Sequence, residues 1–331
     1  MTDTIPARQP TETDVSVAIT TNAKLVPIAV AGAVALLLLV GWITTPEFLT
    51  YRNFQSIIRA ASLLGIIAVG MTFITLSGSF FSLSVAQTGA MAAIAFAAFL
   101  KWGWPTWAAV LIVLGLATVV GVLQGGAVAL GGNPIIVTLA FGALLFGSGA
   151  WLTDNKTVRT GTDKAEWIGT SRPLGIPLQT WTFIILTILA TLVITRSRFG
   201  REATLVGANR RAAASSGLRP GRIAMYAFAI SAIGAAIAGI FTAAQFSQGQ
   251  LELFQGADID AIAAILVGGA AIQGGEGSAL RTGLGAVFIA SLQNLMVLRG
   301  LSFGVRTSLT GVAILVSVSA FTVLRNRRRL A

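Results

Sequence analysis

The 331-residue chain contains no cysteine and no histidine. Without cysteine it can form no disulfide, carry no thiol nucleophile and offer no thiolate to a metal. Without histidine it lacks the side chain that most often acts as a general base near neutral pH and as a zinc or haem ligand. These two absences argue against a catalytic or metal-binding role.

Charge is also scarce. Only 11% of the residues are charged, against roughly 25% in soluble domains. The run at 25–43, LVPIAVAGAVALLLLVGWI, has no charge at all, and about 20 such residues let a helix cross the hydrocarbon core of a bilayer. Similar runs recur along the chain. We therefore predict an all-α, polytopic membrane protein in contact with the lipid bilayer.

Hydropathy predicts about ten transmembrane helices, with ends that are uncertain by a few residues. The predicted spans are 25–43, 57–77, 84–101, 107–130, 134–152, 179–195, 222–244, 258–272, 280–298 and 304–323. Two places favour broken or re-entrant helices. Residues 77–81, SGSFF, interrupt a helical pattern, and the run at 261–272 is too short to cross alone.

The net charge of +11 is concentrated in short loops and at the C-terminus, which is typical of topology signals and argues against nucleic acid as a partner. Seven Lys or Arg residues lie in 196–222 and four in 325–329. An even number of spans places both clusters on the cytoplasmic side. We expect a disordered cytoplasmic tail at 1–23, a transmembrane domain at 24–324 and a basic cytoplasmic tail at 325–331.

The same topology suggests an inverted repeat. Spans two to five begin outside and spans seven to ten begin inside, and each set contains a broken stretch. Transport proteins built this way have their path at the interface between the halves.

The basic loop contains a distinctive segment, NRRAAASSG at 209–217. An asparagine that can cap a helix comes first, helix formers follow, and a glycine ends the segment. The pattern predicts a helix of about two turns on the cytoplasmic side. It is either part of an ordinary positive-inside loop or an element whose small residues let another protein dock closely.

Asn209, Ala212, Ala213, Ser216 and Gly217 resemble the cytoplasmic coupling loop of ABC importer permeases. The likeness is to the ribose/xylose-type sugar permeases and extends over about 48–323. It includes the segments IIAVGMTFITLSG at 66–78, LSV at 83–85, DIDAIAAILVGGAAIQGGEG at 258–277 and SLQNLMVLRG at 291–300.

This resemblance implies a permease that translocates a sugar in a bacterial plasma (inner) membrane, with both termini in the cytoplasm. It implies a homodimer that works with separate ABC ATPase subunits and a periplasmic or lipid-anchored solute-binding protein. The chain has no Walker motif, so ATP would bind to the partner subunits and no cofactor is expected here. The expected ATPase-coupling residues are Gly207, Asn209, Arg210, Arg211, Ala212, Ala213, Ser216 and Gly217.

The sequence departs from that family at 79–86, where SFFSLSVA stands in place of the usual GGIDLSVG. Ser82 replaces an intramembrane aspartate. A non-sugar solute, such as a nucleoside, a furanose of the autoinducer type or an amino acid, therefore stays open.

Three groups of residues are candidates for the substrate path, each with a simpler alternative. Ser79, Phe80, Phe81 and Ser82 sit at the helix break, where they either line the path or pack between helices. Gln245 and Gln248 can hydrogen-bond a neutral sugar or are ordinary surface residues. Asn294 faces either the path or a partner helix.

Other polar patterns have structural interpretations. Asp258 and Asp260 are expected to cap a helix N-terminus rather than to form a catalytic pair. The glycines at 268–277 lack the Lys-Ser/Thr that follows a phosphate loop, and are expected to allow tight turns and close packing.

Two other function classes remain as alternatives. A secondary transporter driven by an ion gradient would need an ionisable residue deep in a span, and the predicted spans have almost none. An intramembrane enzyme would lack histidine, cysteine and a carboxylate pair in mid-span.

Overall fold

The computed structural model describes residues 31–45, 47–48, 50–312 and 315. The two tails predicted at 1–23 and 325–331 lie outside the described residues, as do the first residues of span one and most of the second half of span ten.

Helices dominate the described chain. They are α1 (Ala31–Thr44), α2 (Tyr51–Leu76), α3 (Val85–Lys101), α4 (Thr106–Ala129), α5 (Pro134–Thr153), α6 (Glu166–Thr170), α7 (Leu178–Arg196), α8 (Arg198–Ala208), α9 (Arg210–Ser215), α10 (Pro220–Phe246), α11 (Ala257–Val267), α12 (Ala279–Leu298) and α13 (303–312). Two-residue strands β1 (Val158–Arg159) and β2 (Gln248–Gly249) pair antiparallel, and short 3₁₀ turns cover Pro173–Gly175 and Leu251–Phe254.

The chain is a polytopic membrane protein. Within the described residues, six helices are long and apolar enough to cross a bilayer, namely α2, α4, α5, α7, α10 and α12. Two shorter apolar helices, α1 and α3, accompany them. The 11-residue α11 ends at Val267, five residues before the predicted end of its span, and is too short to cross alone.

Two long helices form the centre of the molecule. In the most apolar part of both α2 and α10, 72% of the residues are buried. Their backbones come close where glycines face each other: a Cβ on Gly70 would lie 3.3 Å from the Ile230 carbonyl oxygen, and one on Gly234 would lie 3.0 Å from that of Ile66. Around this pair, α10 packs on α3 and α4, whereas α2 packs on α7, α11 and α12.

The helices α4, α5 and α7 are peripheral. Between 17% and 28% of their most apolar windows are buried, and large apolar side chains such as Leu116, Leu144 and Ile188 are exposed. Apolar helices with such bare faces are suited to lipid or to a second apolar surface.

Local sequence accounts for where several helices begin. The Thr50 hydroxyl accepts a hydrogen bond from the Asn53 amide at the start of α2. Asn133 accepts one from the Ile135 amide at the start of α5, where Pro134 occupies the first turn. Both arrangements satisfy amides that have no partner inside the helix.

The loop at 153–177, which carries charges of both signs, is partly folded onto the molecule. Val158 pairs with Gly249, and the Thr160 amide donates to the Ser247 carbonyl at 3.0 Å. Ile168 and Gly169 are buried against the end of α10. We call this segment, with β1 and α6, the outer cover.

Candidate functional site

The basic loop folds into two helices rather than one. The predicted helix at 209–217 is confirmed as α9, which runs from Arg210 to Ser215. Asn209 caps it by accepting a 3.0 Å hydrogen bond from the Ala212 amide. Gly217 follows with φ of +83°, a conformation that glycine adopts at low cost.

The preceding helix, α8, was missed by the sequence analysis. Ser197 caps it by accepting a 3.0 Å hydrogen bond from the Gly200 amide. Ala203 and Val206 are buried on one face, and Phe199 lies partly buried beside them. A serine cap followed by apolar residues at i, i+4 and i+7 was the signal that could have identified this helix.

The small residues of α9 do not share one role. Ala213 is 6% exposed and packs in a buried cluster with Leu76, Ala203, Val206 and Ile223. Ala213 therefore faces its own chain and does not belong to the free surface of α9. Arg210, Arg211, Ala212 and Ser216 are exposed, and they form the free face of α9.

Four glycines join α8 to the end of α2, and we call them the glycine joint: Gly78, Gly207, Gly274 and Gly275. The Gly275 amide donates to the Leu76 carbonyl at 3.0 Å. A Cβ on Gly207 would meet the Leu76 carbonyl oxygen and would lie 2.5 Å from the Gly275 nitrogen. Such contact between backbones leaves no room for a side chain, so α8 and the end of α2 are closely packed.

Gly78, Gly274 and Gly275 have φ between +74° and +93°. This agrees with the prediction that the glycines around 268–277 allow tight turns and close packing.

The predicted helix break follows this joint. Helix α2 ends at Leu76 and α3 begins at Val85. Ser79 and Ser82 are 1% and 2% exposed. The Ser77 hydroxyl donates to Ser79 Oγ at 3.2 Å, and Ser82 Oγ lies 3.0 Å from Ser84 Oγ.

The hydrogen bonds of these serines extend to a neighbouring helix, α4. Ser84 donates to Gln124 Oε1 of α4 at 3.1 Å, and Gln124 is itself 2% exposed. The hydroxyls at 82 and 84 thus form a buried network that includes a residue the sequence analysis did not single out.

The two aromatic residues of the break differ. Phe80 is 41% exposed and has φ of +57°, a left-handed conformation that is unusual for a bulky residue. Phe81 is partly buried and packs against the main apolar core. Of the residues 79–82, Phe80 has the most accessible side chain.

The glutamine candidates lie elsewhere. Gln245 is in the last turn of α10, and Gln248 is in β2, paired with Arg159 of the outer cover. These residues lie at the opposite end of the central helices from the break at 77–84. The structure therefore brings the path candidates together in two groups rather than one.

Asn294 of α12 forms a reciprocal amide pair with Asn53 of α2, with N–O distances of 2.9 and 2.8 Å. This is the interhelical bonding that the sequence analysis gave as the alternative to a path role.

The acidic pair at the start of α11 behaves only in part as expected. Asp258 and Asp260 lie in the first turn, where carboxylates complement the helix dipole. The N-cap itself is Gly256, with no side-chain cap, so the predicted capping is wrong. Asp260 Oδ1 instead accepts a 2.7 Å hydrogen bond from Gln293 Nε2, which links α11 to α12.

With this geometry in place, comparison with known proteins is informative. Residues 53–318 match the family described as "Branched-chain amino acid transport system / permease component". No solved structure matches the chain.

The curated relatives align along almost the whole chain. The ribose import permease protein RbsC of Haemophilus influenzae is 32% identical over 302 residues, covering 89% of this chain and 93% of the relative. RbsC of Escherichia coli K12 is 32% identical, with 86% and 91% covered. The autoinducer 2 import system permease protein LsrD of Klebsiella pneumoniae is 31% identical, with 77% and 79% covered.

Proposed function

This chain belongs to the family of permease components of branched-chain amino acid transport systems, and we propose that it is the membrane-spanning subunit of an ATP-driven importer for a sugar. The observation that carries the proposal is its 32% identity, over most of both chains, to permeases named for ribose import. The family is one of transport components rather than enzymes. The chain is accordingly a multi-pass inner-membrane protein whose task is translocation.

The free face of α9 is the proposed docking site for an ABC ATPase. Ala212 and Ser216 lie one turn apart and are small and exposed, so a partner backbone can approach closely. Arg210 and Arg211 at the start of the helix are also exposed and make no salt bridge within the described residues. They are available to carboxylates of the ATPase.

Closure of the ATPase would move the bilayer-spanning helices through the glycine joint. Ala213 seats α9 on Leu76 and Ile223, and Gly207 fixes α8 to the end of α2. A push on α9 would therefore reach α2 and α10, the two most buried helices, and the break at 77–84 that follows α2. We propose that this break changes shape as the path opens and closes.

The packing supports the inverted repeat and the ten spans proposed from topology. Helix α2 packs on α11 and α12, and α10 packs on α3 and α4. Exchanging the first and second halves of the chain exchanges these contacts, as a two-fold axis in the membrane plane would require. With α1 and α7 added, these halves give ten membrane helices, of which α11 is re-entrant.

Topology and assembly follow from charge and exposure. The basic loop with α8 and α9 would face the cytoplasm together with both termini. The bare apolar sides of α4, α5 and α7 give room for a second copy as well as for lipid. The outer cover would face a solute-binding protein.

We propose that Ser79, Phe80, Phe81 and Ser82 lie beside the path, with Phe80 offering an exposed ring for the apolar face of a sugar. Gln245, Gln248 and Asn294 would contribute amides nearer the other end. Because Ser82 is uncharged, a neutral solute suits this break, and the relative that imports autoinducer 2 keeps a second solute class open.

Reconstitution tests the proposal. The chain is placed in proteoliposomes with its ATPase and solute-binding protein, and uptake of labelled ribose, xylose and autoinducer 2 is measured with ATP or with a non-hydrolysable analogue. We expect uptake of one sugar only with hydrolysable ATP. Uptake by the chain alone, driven by an ion gradient, would contradict an ATP-driven role.

A further inference from the structure

Two cavities lie along α10 on the side of α7 and α8, and we call them together the groove. Its mouth is a cavity of about 700 Å³ between α8, α9's C-terminal loop and the start of α10. Its inner part is a cavity of about 210 Å³ between α2, α7 and α10. Ile230 lines both cavities, so they adjoin at this residue.

The mouth is basic. Arg198, Arg219 and Arg222 line it together with one acid, Glu202. Arg198 is already paired with Glu202 at 3.0 Å. Within the described residues, neither Arg219 nor Arg222 takes part in a salt bridge. The mouth therefore has an uncompensated positive charge on two guanidinium groups, beside the positive end of the α10 dipole.

The inner part has the opposite character. It is lined only by apolar side chains and glycine, with Phe73 of α2, Val193 of α7 and Ile233 of α10 among them. Phe199 sits where the two parts meet, stacked on Phe73 and edge-on to Tyr226, each with ring centroids 6.0 Å apart. Polarity thus falls abruptly from the mouth inward.

The length of the groove matches one membrane leaflet. Arg222 and Ile237 are both lining residues, and 15 helical residues rise about 22 Å. Half of a hydrocarbon core is about 15 Å, which leaves about 7 Å for a headgroup. A phosphate on arginines with a chain along apolar residues is the arrangement of a phospholipid.

We propose that this groove binds an anionic phospholipid, with its phosphate at Arg219 and Arg222 and one acyl chain between α7 and α10. A soluble anion would use the mouth and leave the apolar part empty. A non-helical protein segment would bring unpaired backbone amides and carbonyls into a region with no polar partner for them. An anionic phospholipid has a phosphate for the basic mouth and an acyl chain for the apolar part.

The site has a consequence for coupling. Arg219 and Arg222 flank the N-terminus of α10, and Phe199 belongs to α8, so a bound lipid would touch α8 and α10, two of the three helices that pack on Ala213 of α9. We infer that it holds α8 against α10. This step rests on the proposed ATPase docking, whereas the binding itself does not.

Native mass spectrometry of the full chain in detergent tests the binding. Phosphatidylglycerol and phosphatidylcholine with identical acyl chains are added in series, with glycerol phosphate as a soluble competitor. We expect phosphatidylglycerol to bind at least tenfold more tightly than phosphatidylcholine, and glycerol phosphate to compete poorly. Equal binding of the two lipids, or full competition by glycerol phosphate, would overturn the proposal.

Variants locate the site. The double change Arg219→Gln and Arg222→Gln should weaken phosphatidylglycerol binding roughly thirtyfold, since each arginine near an anionic headgroup contributes about fivefold. Arg210→Gln with Arg211→Gln removes the same charge from α9 outside the groove and should leave binding unchanged. Equal loss in both pairs would show a non-specific charge effect and would count against the site.

A third variant tests the apolar part. Ile233→Trp fills the groove and should lower lipid binding, whereas Ile188→Trp places the same ring on an exposed position of α7 outside it. If Ile233→Trp changed the proportion of dimer and left lipid binding intact, the groove would be a subunit interface and the proposal would be wrong.

Discussion

The C-terminal ends of α2 and α10, which the proposed topology puts on the inner and outer sides of the membrane, are built alike but carry different charges. Each helix stops at an irregular segment, 77–84 after α2 and 247–256 after α10, and each stop is covered by elements from a distant part of the chain. At the inner end the cover is α8 with the loop at 268–278. At the outer end it is β1 with α6.

The two covers differ in their charged residues. The inner cover leads into α9 and an arginine-rich loop, and its acids are Glu202 of α8 and Glu276 of the loop at 268–278. The outer cover mixes Asp154, Lys156, Asp163 and Lys164. An excess of one charge attracts a partner surface of opposite charge. The arginine excess therefore supports the proposal that the ATPase docks on the inner side.

Substitution of Gly207, at the inner end, should have the largest effect on transport among the changes proposed here. Gly207→Ala places a methyl group against the backbone of Leu76 and Gly275, and overpacking of this kind costs about 1–3 kcal/mol. We expect uptake in the reconstituted system to fall at least tenfold, with ATP hydrolysis retained.

Gly126→Ala on α4 is the matched control, because a Cβ there meets nothing within 4 Å. Normal uptake by Gly207→Ala would remove the glycine joint from the mechanism.

The two faces of α9 are expected to have different roles. The free face binds the ATPase, and the buried face packs against the permease itself. Ala212→Trp on the free face should abolish ATPase binding, measured by co-purification, and leave the melting temperature of the permease unchanged. Ala213→Trp on the buried face should lower that melting temperature, because a ring cannot fit beside Leu76 and Val206. The opposite pattern would mean that the free face has been assigned to the wrong side of the helix.

The outer cover should respond more weakly and in a different assay. Gly169→Ala puts a methyl group 2.7 Å from the Ala244 carbonyl carbon, which should loosen α6 from α10. We expect a several-fold loss of stimulation by the solute-binding protein and no change in basal hydrolysis. Gly147→Ala, on an open face of α5, serves as control. If Gly169→Ala reduced coupling more than Gly207→Ala does, the outer end would be the more important of the two for coupling.

The smallest expected effect concerns hydrogen bonds at the two ends. Ser84→Ala leaves the buried Gln124 Oε1 without its donor, at a cost of about 1–3 kcal/mol. Thr157→Ala removes the exposed 3.0 Å hydrogen bond to Gln250, in the segment that follows α10. This change should cost less than about 1 kcal/mol of stability. Chemical unfolding in detergent measures both. Equal costs would show that the network at the break is no tighter than a surface pair.

Much of this architecture follows from local sequence. Apolar runs predicted the long helices, and Asn209 with Gly217 predicted α9, because caps and hydropathy act over a few residues. The seating of Ala213 could not be predicted in this way, since it depends on Leu76 and Ile223, which are distant in sequence or belong to another helix. Likewise, the partner of Asp260 is Gln293, which only the packing of α11 on α12 brings within reach.

Phe80 has a consequence that its exposure alone does not suggest. A left-handed backbone is easiest for glycine or asparagine, yet the chain carries an aromatic side chain there. Phe80→Gly should therefore make the protein harder to denature while removing the ring. If a natural sequence keeps the more strained residue, the functional value of the ring must outweigh the stability that is lost.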